Sequence, residues 1–307
     1  MSKTLEESAI VDATRLLEAH PDFKVIRRIP LRTAFAEDGG RNLSKGVVVD
    51  TETTGLDPDK DAIIELGMVL FEFDPETGRA YKILGSFSQL EDPHAPIPLE
   101  SIAVHGITDE MVAGKQIDDA EVERFLSGVS LVVAHHSKFD RIFLEKRLPL
   151  FESLPWGCSL AQVDWRGEGF GSASLNYIAY QYGFFFDEHR AENDCLALME
   201  VLQQRLPKSG ELVLKTILNK VSQESYTIYA TGSRFETKDI LKSRGYRWNV
   251  ERNCWYLAIT RDVDIIDEAD WLKRSVYGGG KAKIEIEVQT GLTRFSNRLG
   301  KRILREI

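Results

Sequence analysis

The chain has 307 residues, 43% of them hydrophobic, and a formal net charge of −9. That length accommodates one large domain with a smaller one, or two modest domains, and the acidic balance excludes a whole-chain basic field that would draw in a polyanion. Cys158, Cys195 and Cys254 form no CxxC pair, the segment MSKTLEESAI lacks the order of a secretory signal, and no apolar run nears the roughly 20 residues of a membrane span, so a soluble cytoplasmic protein with no membrane partner is expected.

Residues 4–19 read as an amphipathic helix, with Leu5, Ile10, Ala13, Leu16 and Leu17 in one stripe. A short strand, Phe23 to Ile29, and a polar loop from Ala36 to Lys45 with Gly39–Gly40 complete an N-terminal extension, residues 1–45, expected to pack against the next domain. Strand signals come next at Gly46–Asp50, Ala62–Phe73 and Tyr81–Gln89. After them stand a helix at Asp118–Leu126, a buried strand at Leu131–Ala134, and helices at Phe139–Arg147, Leu175–Tyr182 and Arg190–Leu206. Hairpin strands followed by β–α alternation predict an α/β domain over 46–205, a mixed sheet flanked by helices. Gln203 to Lys220 reads as a continuation or a link. A small α+β domain over 222–274 reads as a strand (Tyr226–Ala230), a helix (Thr237–Arg244) and a hairpin (Tyr246–Trp248 against Cys254–Ala258). Gly278–Gly280 precedes a basic tail, 275–307.

Three local patterns carry chemistry. Asp50 and Glu52 end the strand VVVD, and residues two apart on a strand share a face. Alone, such a pair reads as two solvated charges, but side by side they repel unless a hard cation lies between them. Asp140 stands near the start of a helix that comes after the strand LVVA, where a capping role is the simple reading. His189 and Asp194 are five residues apart, about 140° around a helix. Both can serve one site only if His189 precedes the helix and Asp194 lies in its first turns.

In order and context, VVVDTETTGLD, AHHSKFDRIFL and HRAENDCLAL resemble the DEDD exonuclease family, named for its four acids. That family includes the proofreading subunit of bacterial replicative DNA polymerase and ribonuclease T. Val104-His105-Gly106-Ile107-Thr108 and Ser174-Leu175 are similar to further family features. His189 stands five before Asp194, and position 190 is Arg, not Tyr, so the chain resembles the histidine branch. His136 departs from the pattern, since relatives often carry Asn there.

The resemblance implies a ribonuclease H-like fold and a 3′→5′ exonuclease that releases 5′-mononucleotides, with DNA favoured. Asp50, Glu52 and Asp194 would hold one Mg²⁺ or Mn²⁺ ion, and Asp50 with Asp140 a second, with His189 as general base. Thr53, Thr54, Gly55 and Leu56 would line the pocket for the terminal nucleotide, and His136 would contact substrate. His105 reads as a substrate contact or a structural histidine. The expected partner is a single-stranded DNA or RNA 3′ end. Residues 222–274, with interleaved bases and aromatics, suit nucleic acid or a protein partner. Alternatives are an exoribonuclease acting in RNA maturation or turnover, and a non-catalytic adaptor on a dead exonuclease fold. A zinc hydrolase built on His135, His136 and His189 is disfavoured by the excess of carboxylates.

Overall fold

The computed structural model describes residues 2–37, 42–259 and 263–307. The predicted Gly39–Gly40 loop and the side chain of Leu5 lie outside the described residues. The larger sheet contains β1 (Ser44–Thr53), β2 (Ile63–Phe73), β3 (Ala80–Leu90), β4 (Val129–Ala134) and β5 (Trp156–Cys158), in the order β3-β2-β1-β4-β5. β1 and β3 run antiparallel to β2, whereas β4 is parallel to both β1 and β5. This is the mixed sheet that the alternation predicts.

An unbroken apolar run such as Val47-Val48-Val49 needs cover on both faces. Val48 enters one core with Val69, Leu198 and Ile217, and Val47 and Val49 enter another with Met68, Phe143 and Leu144. The chain opens with α1 (Ser2–Glu18), and α2 (Leu99–His105) packs Ile102 on a smaller cluster; the cover comes from α3 (Asp119–Phe125), α4 (Ser137–Arg147), α5 (Leu175–Gln181), α6 (Ala191–Leu202) and α7 (Val213–Val221). α3 begins where Asp118 accepts the Glu121 N–H at 3.0 Å, an N-cap.

Gly67 sets the distance between α6 and the sheet. It lies on β2 opposite Asp50 of β1. A Cβ added there would overlap the Ala191 backbone and lie 2.5 Å from the Glu192 nitrogen. The first turn of α6 therefore rests directly on the strand. The Cys195 Sγ donates to the Gly67 carbonyl at 3.3 Å from the next turn.

Several elements differ from the sequence reading. α6 ends at Leu202, and α7 returns Val213, Leu214 and Ile217 to the same core, so 203–220 is not a link leading away. The strand expected over Phe23 to Ile29 is only Arg27–Arg28, paired with Phe184–Phe185. Ile29 and Phe35 pack against the core. The α1 stripe does not pack: Ile10 is 65% and Leu16 74% exposed.

The second sheet has the order β10-β9-β6-β8-β7, all antiparallel, from β6 (Ser225–Ala230), β7 (Arg247–Asn249), β8 (Cys254–Ile259), β9 (Lys283–Gln289) and β10 (Lys301–Glu306). α8 (Lys238–Ser243) and α9 (Val263–Ser275) accompany it. The β7–β8 hairpin closes where the sequence placed it. The stretch read as a basic tail supplies β9 and β10, because Ile284, Ile286 and Val288 alternate into this unit and are buried. Two of its arginines, Arg294 and Arg298, join it to the first unit, whereas Arg302 pairs with Glu285 inside the second sheet. The fully buried Arg141 of α4 donates to the carbonyls of Gly291 and Arg294 at 3.0 and 2.7 Å, and Arg298 pairs with Glu145 at 3.0 Å. Arg294 donates to the Lys220 and Gln223 carbonyls.

Because a methyl at Gly67 has no room, Gly67→Ala must push α6 from the sheet. A loss of about 1–3 kcal/mol is expected, the range for overpacking a filled interior. Urea unfolding measures it, and an unchanged midpoint would show that α6 can move freely.

Candidate active site

Asp50 and Glu52 stand near the end of β1, on the same face of the strand. A register shift between Glu52 and Thr53 ends regular pairing there and turns the chain toward Leu56. Asp194 arrives from the first turn of α6, held close by the bare Gly67 backbone. Asp50, Glu52 and Asp194 each offer a carboxylate oxygen, and these oxygens all lie within 4.8 Å of one another. Among the described residues this is the one group of three or more His, Cys, Asp or Glu side chains with such spacing. The three histidines of the zinc reading do not join it, and the His135 Nδ1 instead lies 2.7 Å from Ser159 Oγ.

Asp140 comes from the first turn of α4 and is buried. It is not a helix cap. Its Oδ1 accepts the Thr51 N–H at 3.1 Å and the Thr51 hydroxyl at 3.0 Å. Thr51 lies between Asp50 and Glu52 in sequence, so these two bonds tie α4 to the strand that carries the pair. The charge of Asp140 is close enough to raise the pKa of Asp50.

Burial together with mutual repulsion makes this cluster hard to ionise. Desolvation, then the charges of Asp140, Asp194 and Glu52, push Asp50 well above the ordinary carboxylate range. Burial and Asp194 raise Glu52 to about 8. Burial raises Asp140 to about 7 against the Thr51 bonds, and Asp194 to about 6 against an Arg190 N–H bond of 3.2 Å. An all-oxygen set of converging acids fits a hard divalent cation, which would favour the charged forms that burial disfavours.

His189 precedes the α6 N-cap, Arg190, as the five-residue spacing requires. It adopts a left-handed φ of 63°, its side chain is half exposed, and its positive form would lower the pKa of Asp194. Glu65 and Arg190 are the part of the site that sequence reasoning missed. Glu65, buried on β2 opposite Glu52, pairs with Arg190 at 2.9 Å and accepts the Ala191 N–H at 3.1 Å. A carboxylate there meets the positive end of the α6 dipole and an orphan amide. The signal was present in the sequence as Glu65 in IIELG and Arg190 beside His189, but only long-range pairing joins them.

The expected substrate contacts divide into two groups. Thr53 and Thr54 are buried and committed to the turn: the Thr53 hydroxyl donates to the Gly55 carbonyl at 2.6 Å, and the Thr54 hydroxyl accepts the Ala62 N–H at 3.0 Å. Gly55 lies against Asp61. Leu56 is 84% exposed and shares a cavity of about 220 Å³ with His136 and Phe139, whose rings stack. His105 is buried; its Nδ1 accepts the Ile107 N–H at 3.0 Å, and its Nε2 has no hydrogen-bond partner among the described residues. Desolvation lowers its pKa.

A mixed sheet whose central strand carries paired acids, with further acids delivered by flanking helices, is the architecture of a ribonuclease H-like nuclease. The family model described as Exonuclease, RNase_T, matches residues 47–202, and the chain belongs to this family. DNA polymerase III subunit epsilon of Treponema pallidum is 34% identical over 164 residues, covering 50% of this chain and 72% of that relative. The PolC-type DNA polymerase III of Clostridium perfringens is 32% identical over 177 residues, 54% of this chain but 11% of that relative. Among solved structures, exonuclease X in complex with 5′-overhanging duplex DNA aligns at 25% identity over 55% of this chain and 99% of that one. Its TM-score is 0.38.

The raised carboxyls predict a sign for pH dependence. A folded-state pKa above the unfolded value means the folded chain binds more protons, so metal-free stability falls as pH rises from the ordinary carboxylate range through about 6 to 8. Thermal melts should show Mn²⁺ raising Tm more near pH 8 than near pH 5. Asp50→Asn should raise the metal-free Tm near pH 8 and abolish the Mn²⁺ response. A Tm blind to Mn²⁺ at every pH would contradict the electrostatic reading.

Proposed function

We propose that this chain is a 3′→5′ exonuclease that removes 5′-mononucleotides from a nucleic-acid 3′ end, with DNA preferred. The observation that carries the reading is the convergence of Asp50, Glu52 and Asp194 oxygens within 4.8 Å in a buried cluster. Asp140 beside them supplies the fourth acid, and membership of the exonuclease family supplies the reaction class. The DNA polymerase III relatives favour DNA over RNA as substrate.

Asp50, Glu52 and Asp194 would hold one Mg²⁺ or Mn²⁺ ion, and Asp50 with Asp140 a second. Bound there, such ions supply charge neutralisation for the scissile phosphate and acidify water. Neutral His189 takes the proton of the attacking water. Its place just before α6 leaves the ring half exposed and within electrostatic reach of Asp194. The Glu65–Arg190 pair holds the start of that helix, and with it the relation between His189 and Asp194. Leu56, His136 and Phe139 offer an apolar and aromatic wall for the terminal base, which such a wall grips without reading sequence.

5′-Labelled single-stranded DNA, duplex DNA and RNA, each offered with Mg²⁺ or Mn²⁺, test the reading. Shortening in single-nucleotide steps from the 3′ end is expected, stopped by EDTA and absent in Asp50→Ala. His189→Ala should slow it by about 10²–10⁴-fold, the usual worth of a general base. Cleavage that survives in Asp50→Ala would remove this site from the reaction. Preference for the RNA strand would replace DNA with RNA as substrate.

A further inference from the structure

The second sheet presents aromatic and cationic side chains that the acidic cluster does not use. Trp248 of β7 stands directly opposite Trp255 of β8, with ring centroids 5.4 Å apart at 68°. Trp255 leans on the core of this unit, but Trp248 is 45% exposed, and Phe235, just before α8, is 75% exposed. Both line one groove of about 630 Å³, together with Arg234, Lys238 and Asn253. The Lys238 ammonium lies 4.1 Å from the Phe235 ring centroid.

The charge around this groove is one-sided. No carboxylate among the described residues lines it. Among the described residues Arg234 and Lys238 make no ion pair with an acid, whereas Arg244 and Arg252 of the same unit pair with Glu268 and Glu285. Residues 222–307 hold 16 Lys and Arg against 12 Asp and Glu, in a chain whose net charge is −9. The acidic excess therefore belongs to the nuclease unit, and the second unit is the part suited to a polyanion.

We infer that this groove binds single-stranded nucleic acid, with unpaired bases stacked on Trp248 and Phe235 and phosphates against Lys238 and Arg234. Exposed rings next to cations that no carboxylate neutralises are the two elements that sequence-tolerant strand binding needs. A duplex keeps its bases stacked on each other and has none to offer these rings. The inference rests on the nuclease reading for its ligand class, and gives that enzyme a second grip on a long strand, outside the acidic cluster.

Fluorescence anisotropy of the full chain with a labelled oligothymidylate, in EDTA to silence hydrolysis, tests this. Trp248→Ala and Lys238→Glu should each raise Kd by about tenfold, the scale of one stacked base or one charge contact. Trp248→Phe should bind nearly as wild type, which separates stacking from a folding defect. Hydrolysis of the p-nitrophenyl ester of thymidine 5′-monophosphate, too short to reach the groove, should be unchanged in all three. Wild-type affinity in both Trp248→Ala and Lys238→Glu, with the ester still cleaved, overturns the groove and leaves the nuclease reading standing. A wild type that cleaves neither ester nor oligonucleotide overturns the nuclease reading, while the Kd values still decide the groove. A protein as the true occupant would leave every Kd for the oligonucleotide unmoved.

Discussion

Like charges buried together repel, and this fold gathers five carboxyls where two strands and two helices meet. Asp50, Glu52, Asp140, Asp194 and Glu65 share a region in which burial raises the pKa of the first four. Among the described residues, Glu65 alone of the five has an ion-pair partner, Arg190. At low effective dielectric such an arrangement opposes folding. The apolar layers on both sides of β1 supply the stability that holds it in place. A protein with no use for a cation gains nothing from this cluster, and local conflicts of this kind concentrate at functional sites.

Small structural facts convert that crowding into geometry. Thr51 ties Asp140 to the strand that carries Asp50 and Glu52. Gly67, with no side chain, lets α6 lie against β2 opposite Asp50. Glu65 then fixes the helix start through Arg190 and the Ala191 amide. The acids come from distant parts of the sequence, yet each is one backbone contact from its neighbour. Under the proposed function, this rigidity puts the acids in place before any ion or substrate arrives.

Much of this was legible in the sequence because it is periodic or local. The run VVVD fixes a buried strand, and the two-residue step from Asp50 to Glu52 fixes a shared face. The step of five from His189 to Asp194 fixes a loop followed by a helix. Long-range pairings left no such trace: nothing local marks Glu65 as the partner of Arg190, or Gly67 as a seat for α6. Thr53 and Thr54 read as pocket residues, but that their hydroxyls bond within the turn was not legible, since turn hydroxyls look alike in sequence whatever they bond. Two strands were hidden in the apparent tail, since Lys301, Arg302 and Arg305 mask the alternation of β10, while Gly278–Gly280 suggests a chain end. The stripe on α1 was legible as a pattern, but a pattern says nothing of whether a surface is covered.

If the buried acids exist to hold a pair of divalent cations, anomalous scattering at the manganese edge, from crystals of this chain grown in Mn²⁺, tests it most directly. Two peaks about 4 Å apart are expected, one bounded by Asp50, Glu52 and Asp194 and the other by Asp50 and Asp140. A map with no manganese in contact with Asp50 at saturating Mn²⁺ would contradict the claim.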